Sequence, residues 1–289
     1  MKPIPDCVPE ALTMILDTAR AVSEDDFIHR KVLLKVMGEI AEEGDLGVNP
    51  ADILLRCWEI ACHALGVRDP YENAKARGDK TALGILKILL KRFPVGSGGE
   101  LKWALRASLA GARLDFSGLG RADIQESVAA TFLIPPAHDE SEALEAAVAK
   151  ANSLMLVANR AGEIALDRPL AEAAAERGKQ VYLAVAATPV FLMATQKDAE
   201  LTGFPASVVV VDPGTPMFGL APERASSEFR ELLGQVDLVI VKGAANLAAM
   251  TTERDMFCVL DNGDADLAGR LGIGLDGGAI FRTPTGERR

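Results

Sequence analysis

Apolar residues recur every three or four positions through the first half of the chain, a spacing that places them on one face of a helix. The clearest runs are Leu12, Ile15, Leu16 and Ala19, followed by Val32, Val36 and Ile40. Further helices are predicted over residues 51–65, 82–90, 101–109, 123–132 and 139–151. Asp139, with Glu142 three residues later, resembles a capping box at the start of the last of these helices. The first half is therefore predicted to be helical.

The pattern changes after residue 153, where short continuous runs of Val, Ile and Leu replace the helical spacing. Such runs are typical of strands that are buried on both faces of a parallel sheet. Strands are predicted over 154–158, 181–186, 208–211, 238–241, 257–260 and, as a late edge strand, 279–281. Helices are predicted between them over 169–177, 190–201, 226–233 and 264–271. This alternation implies right-handed crossovers and a largely parallel sheet that is covered by helices.

The two patterns together predict an α/β protein, in which a helical N-terminal half packs on a three-layer α/β/α, doubly wound and largely parallel sheet. We predict a helical N-terminal domain over residues 1–150 and a Rossmann-like α/β domain over residues 151–289. The second domain is expected to carry the ligand crevice, because ligands of open parallel sheets bind beyond the carboxyl ends of the strands, where the strand order reverses.

Composition and charge narrow the class of protein. The chain has 31 Lys and Arg residues against 41 Asp and Glu residues, a net charge of −10 that disfavours nucleic acid as a partner. Its four Cys have neither disulfide-scaffold nor zinc-site spacing, which is typical of a reducing compartment. Acidic residues interrupt the apolar stretch at the N-terminus, and no apolar run approaches membrane-spanning length. We therefore expect a cytoplasmic protein with no membrane partner.

Candidate chemistry lies at the ends of the predicted strands. The residues that follow the first and fourth strands include Asn159, Arg160, Gly162, Glu163, Lys242, Gly243 and Asn246. Glycine lets a ligand approach the backbone, and the start of the next helix offers free N–H groups that suit an anion. Arg160 and Lys242 add positive charge. The structural alternatives are that both glycines only form turns, that Lys242 is a solvated charge, and that Arg160 pairs with Glu163.

Five motifs in order along the chain resemble those of the damage-control phosphatase family. They are Asp69-Pro70-Tyr71, the run from Ala107 to Phe116, Gly162-Glu163 with Asp167, Thr188-Pro189 with Asp198-Ala199, and the run from Asp237 to Gly243 with Asn246. This metal-dependent family shares a metal-binding domain with protein-glutamate methyltransferase-like proteins. The resemblance implies a helical N-terminal part on an α/β/α sandwich. It also implies hydrolysis of small phosphate monoesters, such as sugar phosphates or damaged phosphometabolites, with Mg²⁺, Mn²⁺ or a related ion.

The chain departs from the family's pattern at the places that hold the metal. The family's first strand typically ends in Asp-Asn-Ala-Gly-Glu, and its Asp and Asn are ligands, but here those places are Asn159 and Arg160. A further ligand Asp is replaced by Met193. Hard divalent cations need oxygen ligands and prefer carboxylates, whereas Met193 offers a thioether and Arg160 a permanent cation. We therefore expect no metal cofactor at these positions.

Roles can be assigned to the residues that remain. Glu163 and Lys242 are the candidate catalytic residues, and the candidate ligand-binding residues are Asn159, Arg160, Gly162, Gly243 and Asn246. Glu163 could act as a general base on water, but general-base catalysis alone contributes only about 10²–10⁴-fold. This contribution is far below what a phosphatase needs.

Two functions follow from this pattern. The leading hypothesis is a family member that binds a small phosphorylated or anionic metabolite and has lost, or much reduced, its metal-dependent phosphatase activity. The alternative is an active phosphatase on sugar phosphates or related metabolites, in which Mg²⁺, Mn²⁺, Co²⁺ or Ni²⁺ is held by rearranged ligands such as Asp167, Glu163 or Asp212. A dinucleotide-dependent oxidoreductase is disfavoured, because no glycine fingerprint follows the first strand.

Overall fold

A seven-stranded sheet lies at the centre of the part of the chain that the computed structural model describes, residues 7–43, 49–96, 98–112, 129–250, 255–260 and 278–283. The strands are β1 His138–Asp139, β2 Ser153–Val157, β3 Gln180–Ala184, β4 Val208–Val211, β5 Leu238–Lys242, β6 Met256–Leu260 and β7 Ala279–Thr283. Their order is β1-β7-β6-β5-β2-β3-β4, and only β6 and β7 are antiparallel neighbours. The largely parallel sheet predicted from the sequence is confirmed.

Helices form most of the first half of the chain and cover both faces of the sheet. They are α1 Cys7–Val22, α2 Asp26–Glu43, α3 Pro50–Leu65, α4 Glu72–Arg92, α5 Glu100–Ala112, α6 Ser141–Lys150, α7 Glu163–Glu176, α8 Gln196–Thr202, α9 Ser227–Gln235 and α10 Ala244–Ala249. Residues 129–133 are also helical, and Pro222–Arg224 form a 3₁₀ turn. Within the described ranges, no helix has the length and apolar character needed to cross a membrane.

Side chains of each strand alternate between the two faces of the sheet, as the two-residue period of a strand requires. In β2, Leu154 and Leu156 point into the core beneath α5, α6 and α7, whereas Met155 and Val157 point into the opposite core beneath α9. Both cores are closed by helices, which explains why the strands are continuous apolar runs. The predicted α/β/α arrangement is therefore confirmed.

Helices α1, α2 and α3 form a bundle that packs against the segment after β3. Ile15, Val36 and Trp58 share a core with Val190 and Phe191 of that segment. The predicted helix over 190–201 is wrong in its first part, because α8 begins only at Gln196. The apolar residues before it are buried against the bundle and follow an irregular path, in which Phe191 has a φ of 48°.

One further prediction about the sheet is corrected by its topology. The last strand, β7, is not at an edge, because it lies between β6 and β1. The edge strand β1 has only two residues, so it carries no pattern that predicts a strand. Asp139, predicted to cap the next helix, does accept a hydrogen bond from the Ser141 N–H at 2.9 Å, although Glu140 is the residue that precedes the helix.

Some predictions lie outside the described residues. They are the helix over 264–271 and the part of the 123–132 helix before residue 129. The division into domains at residue 150 also stays a prediction. Strand β1 and helix α6 precede that residue, and β1 pairs with β7 while α6 packs in the core on one face of the sheet.

Candidate functional site

The strand order reverses between β2 and β5, because β3 and β4 lie on one side of β2 whereas β5, β6 and β7 lie on the other. Ligands of doubly wound sheets bind at this reversal, beyond the carboxyl ends of the strands. The loop after β2 begins at Ala158, contains Asn159 and leads into α7, and β5 ends at Lys242 next to Gly243. The structure therefore brings both predicted strand ends to the switch point of the sheet.

Lys242 lies at the centre of a fully buried cluster just below this edge. Its Nζ lies 2.9 Å from Asp167 Oδ1 and 3.0 Å from Glu163 Oε1, and both carboxylates belong to α7. The same ammonium donates to the carbonyl oxygen and to the Oγ of Ser108 in α5, at 2.7 and 2.8 Å. Ser108 Oγ in turn donates to Asp167 Oδ1 at 2.6 Å. Four oxygens around three N–H donors leave this ammonium without a free donor.

Burial and charge act in opposite directions on this cluster. Burial raises the pKa of Asp167 to about 6, although the Lys242 charge favours its ionised form. Burial alone would lower the pKa of Lys242, but the charges of Asp167 and Glu163 raise it above its usual value. Lys242 is therefore held in its charged form between two carboxylates, and its single charge is shared between them.

A second buried cluster lies between the N-terminal part of α4 and the first turn of α8. Lys75 Nζ is 3.3 Å from Asp69 Oδ2 and 3.2 Å from Asp198 Oδ2. Asp198 also accepts hydrogen bonds from the N–H and Oγ1 of Thr195, at 2.7 and 2.6 Å, in a capping box that starts α8. These contacts tie the helical half of the protein to the loop after β3.

Asp79 extends this second cluster to the strand-end loop. Its Oδ1 accepts the Gly162 N–H at 2.6 Å, just before the first residue of α7. Its Oδ2 is buried, has no hydrogen-bond donor among the described residues, and interacts with the Asp198 carboxylate. Burial raises the pKa of Asp79 to about 7, and the negative charge of Asp198 adds to that rise. The Asp79 carboxylate thus accepts a hydrogen bond from an N–H group that the sequence analysis expected to be available to a bound anion.

The other predicted site residues have distinct surroundings. Asn159 is half-buried and its Nδ2 donates to Glu163 Oε2 at 2.7 Å. Gly243 has a φ of 83°, and a Cβ there would lie 2.3 Å from Asn159 Oδ1, so only glycine fits beside the amide. Asn246 is buried, where it bonds the carbonyls of Ala158 and Lys242 and accepts the Leu220 N–H. It therefore holds the two strand ends together.

Arg160 is the exposed member of the group. Its backbone forms an antiparallel bridge with Met193, so that these two departures from the family's pattern lie side by side at the switch point. Its guanidinium makes no hydrogen bond or ion pair with any described residue, so the structural alternative in which Arg160 pairs with Glu163 is not seen. Among the described residues, the site thus presents the exposed guanidinium of Arg160 near a buried cluster in which one ammonium faces two carboxylates.

Sequence reasoning missed Lys75 and Asp79. Both lie on the buried side of α4, which otherwise consists of small and apolar residues: Gly78, Ala82, Ile85, Leu86 and Leu89. Charged residues at positions 75 and 79 continue the spacing of this apolar face, and Lys and Asp are rarely buried unless they are paired. That interruption of an apolar face was the signal available in the sequence.

The residues present do not fit a Mg²⁺-type ion at the family's ligand positions. Asn159 offers one neutral oxygen, Arg160 is a cation, and Met193 is a buried thioether. Mg²⁺ and related ions are held by carboxylates and other hard oxygen donors. In the part of the chain that the structure describes, no group of three or more His, Cys, Asp or Glu side chains is placed to hold a metal.

Comparison with known proteins gives a consistent result. The model of the damage-control phosphatase ARMT1-like domain matches residues 4–261. A damage-control phosphatase of Pyrococcus horikoshii is 24% identical over 256 residues, covering 85% of this chain and 86% of that protein. A damage-control phosphatase of Archaeoglobus fulgidus is 24% identical over 255 residues, covering 87% of this chain and 88% of its own length.

The fold agrees with the sequence match. The crystal structure of a DUF89 family protein from Pyrococcus horikoshii superposes with a TM-score of 0.87 at 22% identity, covering 98% of this chain and 100% of that one. At this identity the superposition establishes the architecture, and the family model, which spans most of the chain, establishes the relationship. The chain belongs to the damage-control phosphatase family.

Proposed function

We propose that this protein binds a small phosphorylated or otherwise anionic metabolite at the carboxyl ends of β2 and β5, and that its metal-dependent phosphatase activity is lost or much reduced. The observation that carries the proposal is the free guanidinium of Arg160 at the switch point of the sheet. Arg160 takes the place of a family metal ligand, and its planar group of N–H donors suits phosphate oxygens.

Lys242 and Glu163 support the site from below in this proposal. Because the Lys242 ammonium is fully buried and has no free donor, its charge is directed at Glu163 and Asp167. Glu163 is held by Lys242 on one oxygen and by Asn159 on the other. These contacts fix the loop that presents Arg160, so we assign Lys242, Glu163 and Asn159 positions beneath the bound anion.

The alternative, an active metal-dependent phosphatase with rearranged ligands, is favoured by one observation. Oδ2 of Asp167 and Oδ2 of Asp79 are buried without a hydrogen-bond donor in the described part of the chain. Buried carboxylate oxygens normally have partners, and a cation is one way to provide them. This alternative requires a metal in a region where Lys242 already supplies positive charge.

Binding and turnover together test the proposal. The full chain is titrated with inorganic phosphate and with sugar phosphates, and is assayed on sugar phosphates and an aryl phosphate with Mg²⁺, Mn²⁺, Co²⁺ or Ni²⁺ and with chelator. Loss of a charge-assisted contact in Arg160→Gln should weaken phosphate binding by about tenfold or more. Arg77→Gln, which removes an exposed arginine on α4, should leave binding unchanged. Chelator-sensitive turnover at family rates, or unchanged binding in Arg160→Gln, contradicts the proposal.

A gain-of-function variant separates the two alternatives further. Asn159→Asp, Arg160→Asn and Met193→Asp together restore the residue types that the family holds at its ligand positions. If the missing carboxylates account for lost activity, the triple variant gains metal-dependent turnover that the natural chain lacks. If the natural chain already turns over phosphate esters with metal, and the triple variant adds nothing, the alternative function is correct.

The remaining parts of the proposal concern the setting of the protein. We propose a cytoplasmic location, which is supported by the four cysteines, since Cys7, Cys57, Cys62 and Cys258 are all free thiols. The partner is proposed to be a small molecule and not a nucleic acid, because the chain carries a net charge of −10.

A further inference from the structure

A cleft of about 660 Å³ opens between the helical half and the carboxyl edge of the sheet. Its walls come from the end of α1, the segment that leads into α4, the loop after β3 and the first turn of α8. The volume lies within the range of about 300–1,000 Å³ that is typical of small-molecule sites. Neither Arg160 nor Lys242 lines this cleft, so it is separate from the strand-end site.

Much of the wall is apolar. Val22 and Val67 line the side formed by the helical half, together with Pro70, and Pro189 lines the opposite side. These side chains belong to segments far apart in sequence, which the fold brings to one place. The cleft therefore offers an apolar surface to the body of a ligand, and its specificity depends on the polar groups among them.

Three of the four charged residues that line the cleft have an ion-pair partner. Glu72 forms an ion pair with Lys197, and both residues line the cleft. Asp69 is paired with the buried Lys75 at 3.3 Å. Arg68 is exposed and makes no hydrogen bond or ion pair with any residue that the structure describes. Arg68 is therefore the charged residue of the cleft lining that has no ion-pair partner in the described part of the chain.

We propose that this cleft binds a small organic monocarboxylate, with Arg68 as its anchor. A guanidinium matches the two oxygens of a carboxylate with two parallel N–H···O bonds. The exposed amide of Asn73, which has no hydrogen bond to a described residue, lies in the same lining and provides a further donor. The apolar walls then enclose the hydrocarbon part of the acid.

Charge favours a monoanion over a phosphate dianion at this place. A phosphomonoester carries a charge of about −1.5 to −2 at neutral pH, so that Arg68 alone would leave part of it uncompensated. The carboxylates of Asp69 and Glu72 also line the cleft, and they repel a dianion more strongly than a monoanion. The strand-end site and the cleft are thus proposed to take different anions, and the cleft does not depend on the function proposed above.

The experiment titrates the full chain with hexanoate by calorimetry, with hexanamide as a neutral probe of the same shape and inorganic phosphate as a dianion. Hexanoate is expected to bind and hexanamide to bind at least about tenfold more weakly, because it lacks the charge that pairs with Arg68. Arg68→Gln should weaken hexanoate binding by about 10- to 100-fold. Arg77→Gln and Arg160→Gln should leave it unchanged, since neither residue lines the cleft.

The possible outcomes are distinct. Hexanoate binding that survives Arg68→Gln, or that is absent at millimolar concentration, overturns the proposal. So does hexanoate binding that is lost in Arg160→Gln, because the acid would then occupy the strand-end site. Phosphate binding that fails while hexanoate binding still depends on Arg68 overturns the proposed function and supports the cleft. Perturbed ligand methyl signals in saturation-transfer NMR provide a second readout of the same dependence.

Discussion

Two buried lysines in the described chain have similar partners but join different parts of the protein. Lys242 lies between Glu163 and Asp167, which belong to a single helix, and Ser108 closes the cluster. Lys75 lies between Asp69 and Asp198, which are far apart in sequence. The first cluster is completely enclosed, whereas Asp69 in the second keeps 14% of its side chain exposed.

The difference shows how charge is used inside this fold. The Lys242 cluster stabilises the inside of the α/β layer, directly below the strand ends. The Lys75 cluster connects the helical half to the loops at the same edge, and its neighbour Asp79 reaches the Gly162 N–H. One cluster therefore supports the site from beneath, and the other fixes its position relative to the N-terminal helices.

The largest effect is expected for Lys242→Met. Removing this cation leaves two buried carboxylates unpaired, which typically costs about 3–5 kcal/mol. The free energy of unfolding in urea measures the loss. Lys197→Met, which removes an exposed ion pair, is the control and should leave the stability nearly unchanged.

A charge-neutral version of the cluster keeps this prediction testable if Lys242→Met does not fold. The triple variant Lys242→Met, Glu163→Gln and Asp167→Asn removes every charge together, and should recover most of the lost stability. Failure of the triple variant to recover any stability would show that packing, and not charge, holds the cluster together.

A smaller loss of about 2–3 kcal/mol is expected for Lys75→Met, because Asp69 is partly hydrated and Asp198 keeps two hydrogen bonds from Thr195. The comparison with Lys242→Met uses the same denaturant series. A loss equal to or larger than that of Lys242→Met would contradict the expectation that the loss of its lysine destabilises the enclosed cluster more.

Asp79→Asn is expected to stabilise the protein above neutral pH, by about 1–3 kcal/mol, because it removes a buried carboxylate oxygen that has no donor. The new amide keeps an acceptor for the Gly162 N–H and offers a donor to Asp198. The folded pKa of Asp79 is raised from 3.8 to about 7, so the natural protein should lose stability as pH rises through this interval.

The pH dependence of unfolding checks this prediction. The stability of Asp79→Asn should vary less than that of the natural chain between about pH 5 and 8, with the two curves closest at the acidic end. Asp167→Asn should flatten the curve at lower pH, because burial raises the pKa of Asp167 only to about 6. Parallel curves for the natural chain and Asp79→Asn would rule out this role of the carboxyl group.

The smallest effect is expected for Ser108→Ala, at about 1 kcal/mol. It removes the hydroxyl that joins Lys242 to Asp167, but the ammonium keeps both carboxylates and the Ser108 carbonyl. Urea unfolding measures the change. A loss as large as that of Lys242→Met would mean that the hydroxyl organises the cluster, and not the lysine.

Much of the sheet could be predicted because its strands are buried on both faces. Most residues of β2, β3 and β5 are apolar, and parallel topology then places the carboxyl ends of these strands at one edge. The meeting of Asn159, Glu163 and Lys242 follows from that placement. The common direction of the parallel strands thus explains why the candidate site could be predicted.

The features that could not be predicted from the sequence depend on contacts between distant segments. Val190, Phe191 and Met193 are apolar at a spacing that also suits a helix, but their partners lie in α1, α2 and α3. The roles of Lys75 and Asp79 depend on contacts across the fold. Lys75 pairs with Asp198, and Asp79 accepts the Gly162 N–H. The walls of the cleft come from four separate segments, so no local pattern could reveal it.

The hydrogen bond that the Gly162 N–H donates to Asp79 has a consequence for the evolution of the two halves of the chain. A piece of the gene that encoded only residues 151–289 would retain Glu163, Asp167 and Lys242, but it would lose Ser108 and Asp79, which complete their surroundings. Recombination between the genes of distant relatives at the boundary of the two halves would therefore combine buried polar residues that do not pair with one another. The two halves are expected to change together over evolutionary time, as one unit of selection.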